Sequence, residues 1–213
     1  WNFAMKKTLA LLLLLAGLTV EAQGIILYWT GAKDEYWNDL QENWKDKDGK
    51  VVAFLDGDDV VFDNNCQRSY IMVQEVSPGS MLVDNSAGNP YTFDTYSSGR
   101  IYGNMNLTKR GEGDLIIRCD CTYEGDTFIY GGTTCIDDKF RPSKFGDEEP
   151  VWLGHGDIFL YGGRLRLSSM NDNVHFANDI YVRGEASLDC KNLEGSLTVQ
   201  NTGKLTLDNA LNG

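Results

Sequence analysis

Apolar residues in the second half of this chain come in short alternating runs. Ile158 and Leu160, Leu165 and Leu167, Ile180 and Val182, Leu197 and Val199, and Leu205 and Leu207 each stand two apart. Side chains two apart on an extended backbone point to the same side, so each run predicts a strand with one buried face. After residue 22 no stretch carries an apolar stripe of period 3.6 over a helical length.

The runs belong to a repeat. Residues 126–136 read DTFIYGGTTCI and residues 157–167 read DIFLYGGRLRL, with Asp, Phe, Tyr, Gly and Gly identical. Looser copies begin at Asp179 and Ser196, and GDLII at 113–117 precedes the first full copy. Aligned on their glycines, the copies equate Gly132, Gly163, Gly184 and Gly203 and put Leu165, Ala186 and Leu205 in one row. The longest step holds DDKFRPSKFGDEEP at 137–150, a polar insertion.

Short strands recurring about every 20 residues, with glycine turns and no helices between them, predict stacked coils rather than a βαβ sheet. The expected fold is all-β: a right-handed parallel β-helix, with coils over 66–213 and an aromatic-rich capping segment at 23–65. A β-sandwich is the alternative, because it too has closely spaced strands. Copies matching in register over eleven residues favour the solenoid. The sequence stops just after a regular strand with no capping pattern, which predicts covalent continuation into further C-terminal domains.

The N-terminus reads as an address. Met5-Lys6-Lys7 opens a basic region, an apolar run follows from Leu9 to Val20, and small residues end at Ala22. This is the pattern of a secretory signal spanning 1–22, with Trp1 to Ala4 lying upstream of the natural start. The apolar run is too short to span a bilayer and no second one follows, so the mature chain is expected to lack a transmembrane segment.

Composition narrows the functional classes. The 213 residues carry 19 Lys and Arg against 31 Asp and Glu, a net charge of −12. Removing 1–22 takes away Lys6, Lys7 and Glu21, which leaves 17 against 30 and a charge of −13. Nucleic-acid phosphates need clustered cations, so nucleic acid is not an expected partner. The five cysteines at 66, 119, 121, 135 and 190 are odd in number and match no zinc spacing. Buried thiols, one or two disulfides, or a metal site are the open readings.

Two segments carry a resemblance. LTKRGEGDLIIRCDCTYEGDTFIYGGTTCI at 107–136 resembles the autotransporter-associated β-strand repeat, with Leu107, Lys109, Gly111, Gly113, Leu115, Ile117, Tyr123, Gly125, Thr127, Ile129 and Gly132 on its pattern. It departs at Cys119-Asp120-Cys121 and at Thr134. YWTGAKDEYWNDLQENW at 28–44 and GDDVVFDN at 57–64 are similar to the leader segment that precedes such repeats in large exported bacterial surface proteins. The resemblance implies a β-helical passenger at the cell surface or outside the cell, and it names no ligand.

Candidate chemistry is sparse. Trp29, Tyr36, Trp37 and Trp44 are large rings that either cover the first coil or offer a carbohydrate-binding platform. Asp56, Asp58, Asp59 and Asp63 crowd one turn and could supply oxygen ligands to Ca²⁺, although the spacing is not that of an EF-hand. Arg164, Arg166 and Arg183 form a possible outward basic row of the kind polysaccharide lyases use. His155 and His175 sit in no nucleophile-elbow pattern, and no catalytic residue is assigned. The expected protein is a secreted or cell-surface β-helical stalk with an adhesive face, meeting an extracellular glycan or a host surface. The alternatives are the N-terminal part of a carbohydrate-active enzyme and a carbohydrate-binding module.

Overall fold

The structure is a computed structural model that describes residues 24–96, 99–137, 151–168, 177–190, 193, 195–200 and 203–207. The leader, nearly all of the insertion and His175 lie outside these residues. Among the described residues the secondary structure is all strand and turn, with no helix long and apolar enough to cross a membrane.

The first layer holds β1 (Ile26–Trp29), β2 (Tyr36–Trp37), β3 (Trp44–Asp46) and β4 (Val51–Val52). Three coils of three strands follow. They are β5 (Asp59–Phe62), β6 (Tyr70–Val73) and β7 (Glu75–Val76); β8 (Ser80–Asp84), β9 (Tyr91–Asp94) and β10 (Arg100–Gly103); and β11 (Leu107–Arg110), β12 (Leu115–Ile117) and β13 (Asp120–Tyr123). β14 (Thr127–Ile129) and β15 (Thr133–Asp137) continue the stack. Then come β16 (Ile158–Ser168) and β17 (Ile180–Asp189), each crossing two faces, and finally β18 (Leu197–Val199) and β19 (Lys204–Leu207).

Each strand pairs in parallel with its equivalent one coil away. On the first face the inward row runs Leu27, Val60, Met81, Leu107, Thr127, Ile158, Ile180 and Leu197. On the second it runs Ile71, Phe93, Ile117, Ile136 and Leu167. β7, β10 and β13 make the third face. There residues 151–155 take the place of a next strand, bonding to Cys121 and Tyr123 through Val151, Gly154 and His155 at 2.8–2.9 Å. The chain is therefore a parallel β-solenoid, and its buried aliphatic and aromatic side chains form one continuous cluster.

The repeat is visible in the sequence because its identical residues touch. Along β16 the offset from β14 and then β15 stays at 31 residues, from Thr127↔Ile158 to Asp137↔Ser168. Phe128 stacks on Phe159 at 5.3 Å and Tyr130 on Tyr161 at 4.7 Å, the rings of each pair nearly parallel. The Asp157 amide donates to the Asp126 carboxylate at 2.9 Å.

The glycine alignment of the third copy needs a correction. Leu160 pairs with Val182, but Gly162 pairs with Glu185, so β17 carries one extra residue there. Arg183 and Gly184 together oppose Tyr161, a β-bulge. Gly163 thus meets Ala186 rather than Gly184, and Leu165 meets Leu188, while Ala186 still lies against Leu205. A Cβ on Gly184 would stand 1.8 Å from the Tyr161 carbonyl oxygen, so the bulge requires glycine.

Candidate functional site

Trp29, Trp37 and Trp44 are wholly buried at the N-terminal end of the stack. Trp44 on β3 lies edge-on to Trp29 at 5.0 Å and to Trp37 at 5.5 Å, and Trp37 reaches Phe54 and Phe62 at 5.6 and 5.3 Å. The β3–β4 hairpin pairs antiparallel with the free edge of β1, which covers an edge that would otherwise stand open. Asn43 fastens this layer: its Oδ1 accepts from the Lys33 and Asp34 amides, and its Nδ2 donates to the Asp34 carboxylate and the Tyr36 carbonyl. A sugar platform needs an exposed ring face, and these three indoles offer none. Of the four rings read as either a cap or a carbohydrate platform, only Tyr36 reaches the surface, because alternation along β2 sends Trp37 inward and Tyr36 outward.

The four aspartates are also not gathered into a metal site. Asp58 closes the corner before β5, accepting from the Ile25 and Leu55 amides at 3.0 Å each. Asp56 accepts from the Ser77 amide, Asp59 from the Ser80 hydroxyl, and Asp63 from the amide and side chain of Asn65. Each carboxylate holds a different part of the turn. Among the described residues no three His, Cys, Asp or Glu groups converge to hold an ion.

The three arginines do not form a row either. Arg164 and Arg166 sit on the second face and both reach the Asp189 carboxylate, at 2.8 and 3.5 Å. Arg183, in the bulge, lies on the first face over Phe159 at 4.5 Å and donates to Gln200 and to the Tyr161 hydroxyl. All three therefore have protein partners, two on the second face and one on the first. On the second face, Arg118 reaches the carboxylates of Asp94 and Asp137 at 3.5 and 2.9 Å, one from each adjacent coil.

No disulfide joins the five cysteines. Cys119, Cys121 and Cys190 are buried in the core, and burial, reinforced by Asp189, raises the Cys190 thiol to about 11.

Lys109 is a buried cation that sequence reasoning took only as a motif position. It stands inward on β11, fully enclosed, and its Nζ donates to the carbonyls of Arg110, Gly111 and Gly131 at 2.5, 3.0 and 3.4 Å. Burial lowers its pKa to about 8, against the opposing pull of Asp84, Asp114 and Glu112. The unfolded chain holds this proton until about pH 10.4, so between pH 8 and 10 it binds more protons at this site than the folded one, and the Lys109 contribution to stability rises with pH. Above pH 9 to 10 the sign reverses. There the raised Cys190, Tyr70 (about 12, through burial and the Asp94 hydrogen bond) and Tyr123 keep protons that the unfolded chain loses. Urea unfolding should therefore show roughly half a kcal/mol more stability at pH 9 than at pH 8, a Lys109 gain of about 1 kcal/mol partly offset by Cys190, and Lys109→Met should abolish that rise. A wild-type profile that falls from pH 8 to 9, or a rise that persists in Lys109→Met, would contradict this origin.

One surface depression brings together side chains from distant parts of the chain. It is a groove of about 340 Å³ beside the first coils, lined by Tyr36, Asn38, Asp39, Gln74, Glu75 and Tyr96 among others. Apart from Tyr36, sequence reasoning assigned none of these a role. They come from three separate stretches with no local spacing to join them, and only the stacking of β2, β6 and β9 places them side by side.

No family model matches the chain, and no solved structure matches it. Over 114 residues, 51% of the chain, it is 26% identical to an extracellular serine protease of Serratia marcescens. The match takes in 11% of that protein, so the chain spans about a tenth of the relative's length. This similarity and the stacked parallel coils together fit a bacterial exported repeat protein.

Proposed function

We propose that the chain is a non-catalytic, exported passenger-like segment that forms a rigid β-solenoid stalk for display or adhesion at a bacterial surface. The observation that carries this reading is the agreement between repeat and coil: residues identical in consecutive copies are the ones in contact in consecutive turns. Such a surface is built for length and rigidity. The extracellular relative supports export, as does the basic-apolar-small pattern of residues 5–22.

The reading does not take over the relative's protease activity, because the match covers so little of that protein. Among the described residues His155 makes no side-chain hydrogen bond that would pair it with a nucleophile. Expression of residues 5–213 in a Gram-negative host should yield a periplasmic product beginning at Gln23. An unprocessed cytoplasmic product would overturn the export half of the reading. Hydrolysis of casein by the purified product, lost on mutation of His155, would overturn the non-catalytic half.

A further inference from the structure

The groove beside the first coils gathers polar side chains from three separate stretches of the chain. Elsewhere on the outer faces some charged and aromatic side chains are engaged by neighbours one coil away, as in the Arg118 ion pairs and the stacked Phe128, Phe159 and Tyr181 rings. In the groove several polar groups are left over. Asn38 is buried to all but 6% and commits its Oδ1 to the Leu40 and Gln41 amides at 2.9 Å. Its orientation is thereby fixed, and its Nδ2 has no partner among the described residues. The side chains of Tyr36, Asp39, Gln74 and Tyr96 likewise make no hydrogen bond among the described residues. Tyr96 is 76% exposed, which leaves its ring open to a ligand.

We infer that this groove is a binding subsite for an uncharged saccharide. Its volume suits a small ligand rather than a macromolecule. Its lining is two tyrosines with fixed and free amide and carboxylate groups, which answers a molecule offering both a C–H face and many hydroxyls. The two acids are Asp39 and Glu75, and the second is drawn to Arg100 at 3.2 Å. This acidity, on a chain with a net charge of −12, disfavours uronic acids, phosphates and other anions. The inference goes beyond the stalk reading and does not depend on export.

Heteronuclear NMR titration of the purified mature chain tests it. The probes are cellohexaose, laminarihexaose, mannohexaose and N-acetylchitohexaose, with oligogalacturonate as the anionic comparison. At least one neutral oligosaccharide should shift the amides of Asn38, Gln74 and Thr95 with saturation below about 10 mM. Tyr96→Ala and Gln74→Ala are surface changes that leave the core untouched, and each should weaken that binding about tenfold or more. Oligogalacturonate should shift none of these amides. The inference is overturned if no neutral probe moves them, if both variants bind as tightly as wild type, or if the anionic probe binds equally well.

Discussion

Trp37→Ala is expected to remove about 3–5 kcal/mol from the stability of the chain, the largest single loss anywhere in the N-terminal layer. Trp37 is wholly buried and sits at the centre of the aromatic cluster, within 5.3 to 6.1 Å of Trp44, Phe54, Phe62 and Phe93. Those partners come from β3, the segment before β5, β5 itself and β9, so one ring joins the hairpin to the first two coils. Truncation leaves a large cavity that surrounding indoles cannot close without leaving their edge-on contacts. Urea unfolding followed by circular dichroism measures the loss. A change below about 1 kcal/mol would mean that the ring is not packed as described. Tyr36→Ala, one residue away but facing outward, should cost far less.

Gly132→Ala is expected to cost roughly 3 kcal/mol or more. Two separate effects add there. Gly132 has φ of +66°, a conformation that costs an L-residue about 1–2 kcal/mol. In addition, a Cβ at this corner would stand 2.2 Å from the Gly113 carbonyl oxygen of the coil below, and such overpacking typically costs a further 1–3 kcal/mol. Gly49→Ala separates the two effects. It has φ of +81° and no atom within 4 Å of its Cβ, so it carries the conformational cost alone, about 1 kcal/mol. Equal losses in the two variants, read from urea midpoints, would show that coils do not approach one another at Gly132.

Much of this architecture was legible before any coordinates, and the reason is mechanical. In a parallel stack, position n contacts its equivalent in the next coil, so a residue type that packs well against itself is selected at the same position in both. Phe128 with Phe159 and Tyr130 with Tyr161 are such pairs, and they made the repeat stand out. The third face left little trace, because its inward row is Val76, Ile101 and Cys121, followed by Gly103 and Tyr123, so no pair of aliphatic residues two apart marks β7, β10 or β13. The bulge at Arg183 and Gly184 escaped because a glycine inserted by a bulge looks like a glycine at a corner. Among the candidate sites, Trp29, Trp37 and Trp44 lie together in one cluster while Tyr36 faces outward. Composition alone could not separate a covered core from an open platform, and three of the four rings are core. The groove lay beyond reach, because its members come together only through contacts between coils. The buried state of Lys109 was hidden for a related reason: its three carbonyl partners lie in its own corner and in the corner of the coil above.

The central claim is that successive coils run in the same direction and stack in register. Nuclear Overhauser contacts along the first face test it most directly. Leu107, Thr127, Ile158 and Ile180 should each show amide and α-proton contacts to the equivalent residue one coil before and one coil after. Strong α-proton to α-proton contacts, the mark of antiparallel neighbours, should be confined to β1 with β3 and β3 with β4. Such contacts between β14 and β16, or between β16 and β17, would contradict the solenoid and favour a sandwich.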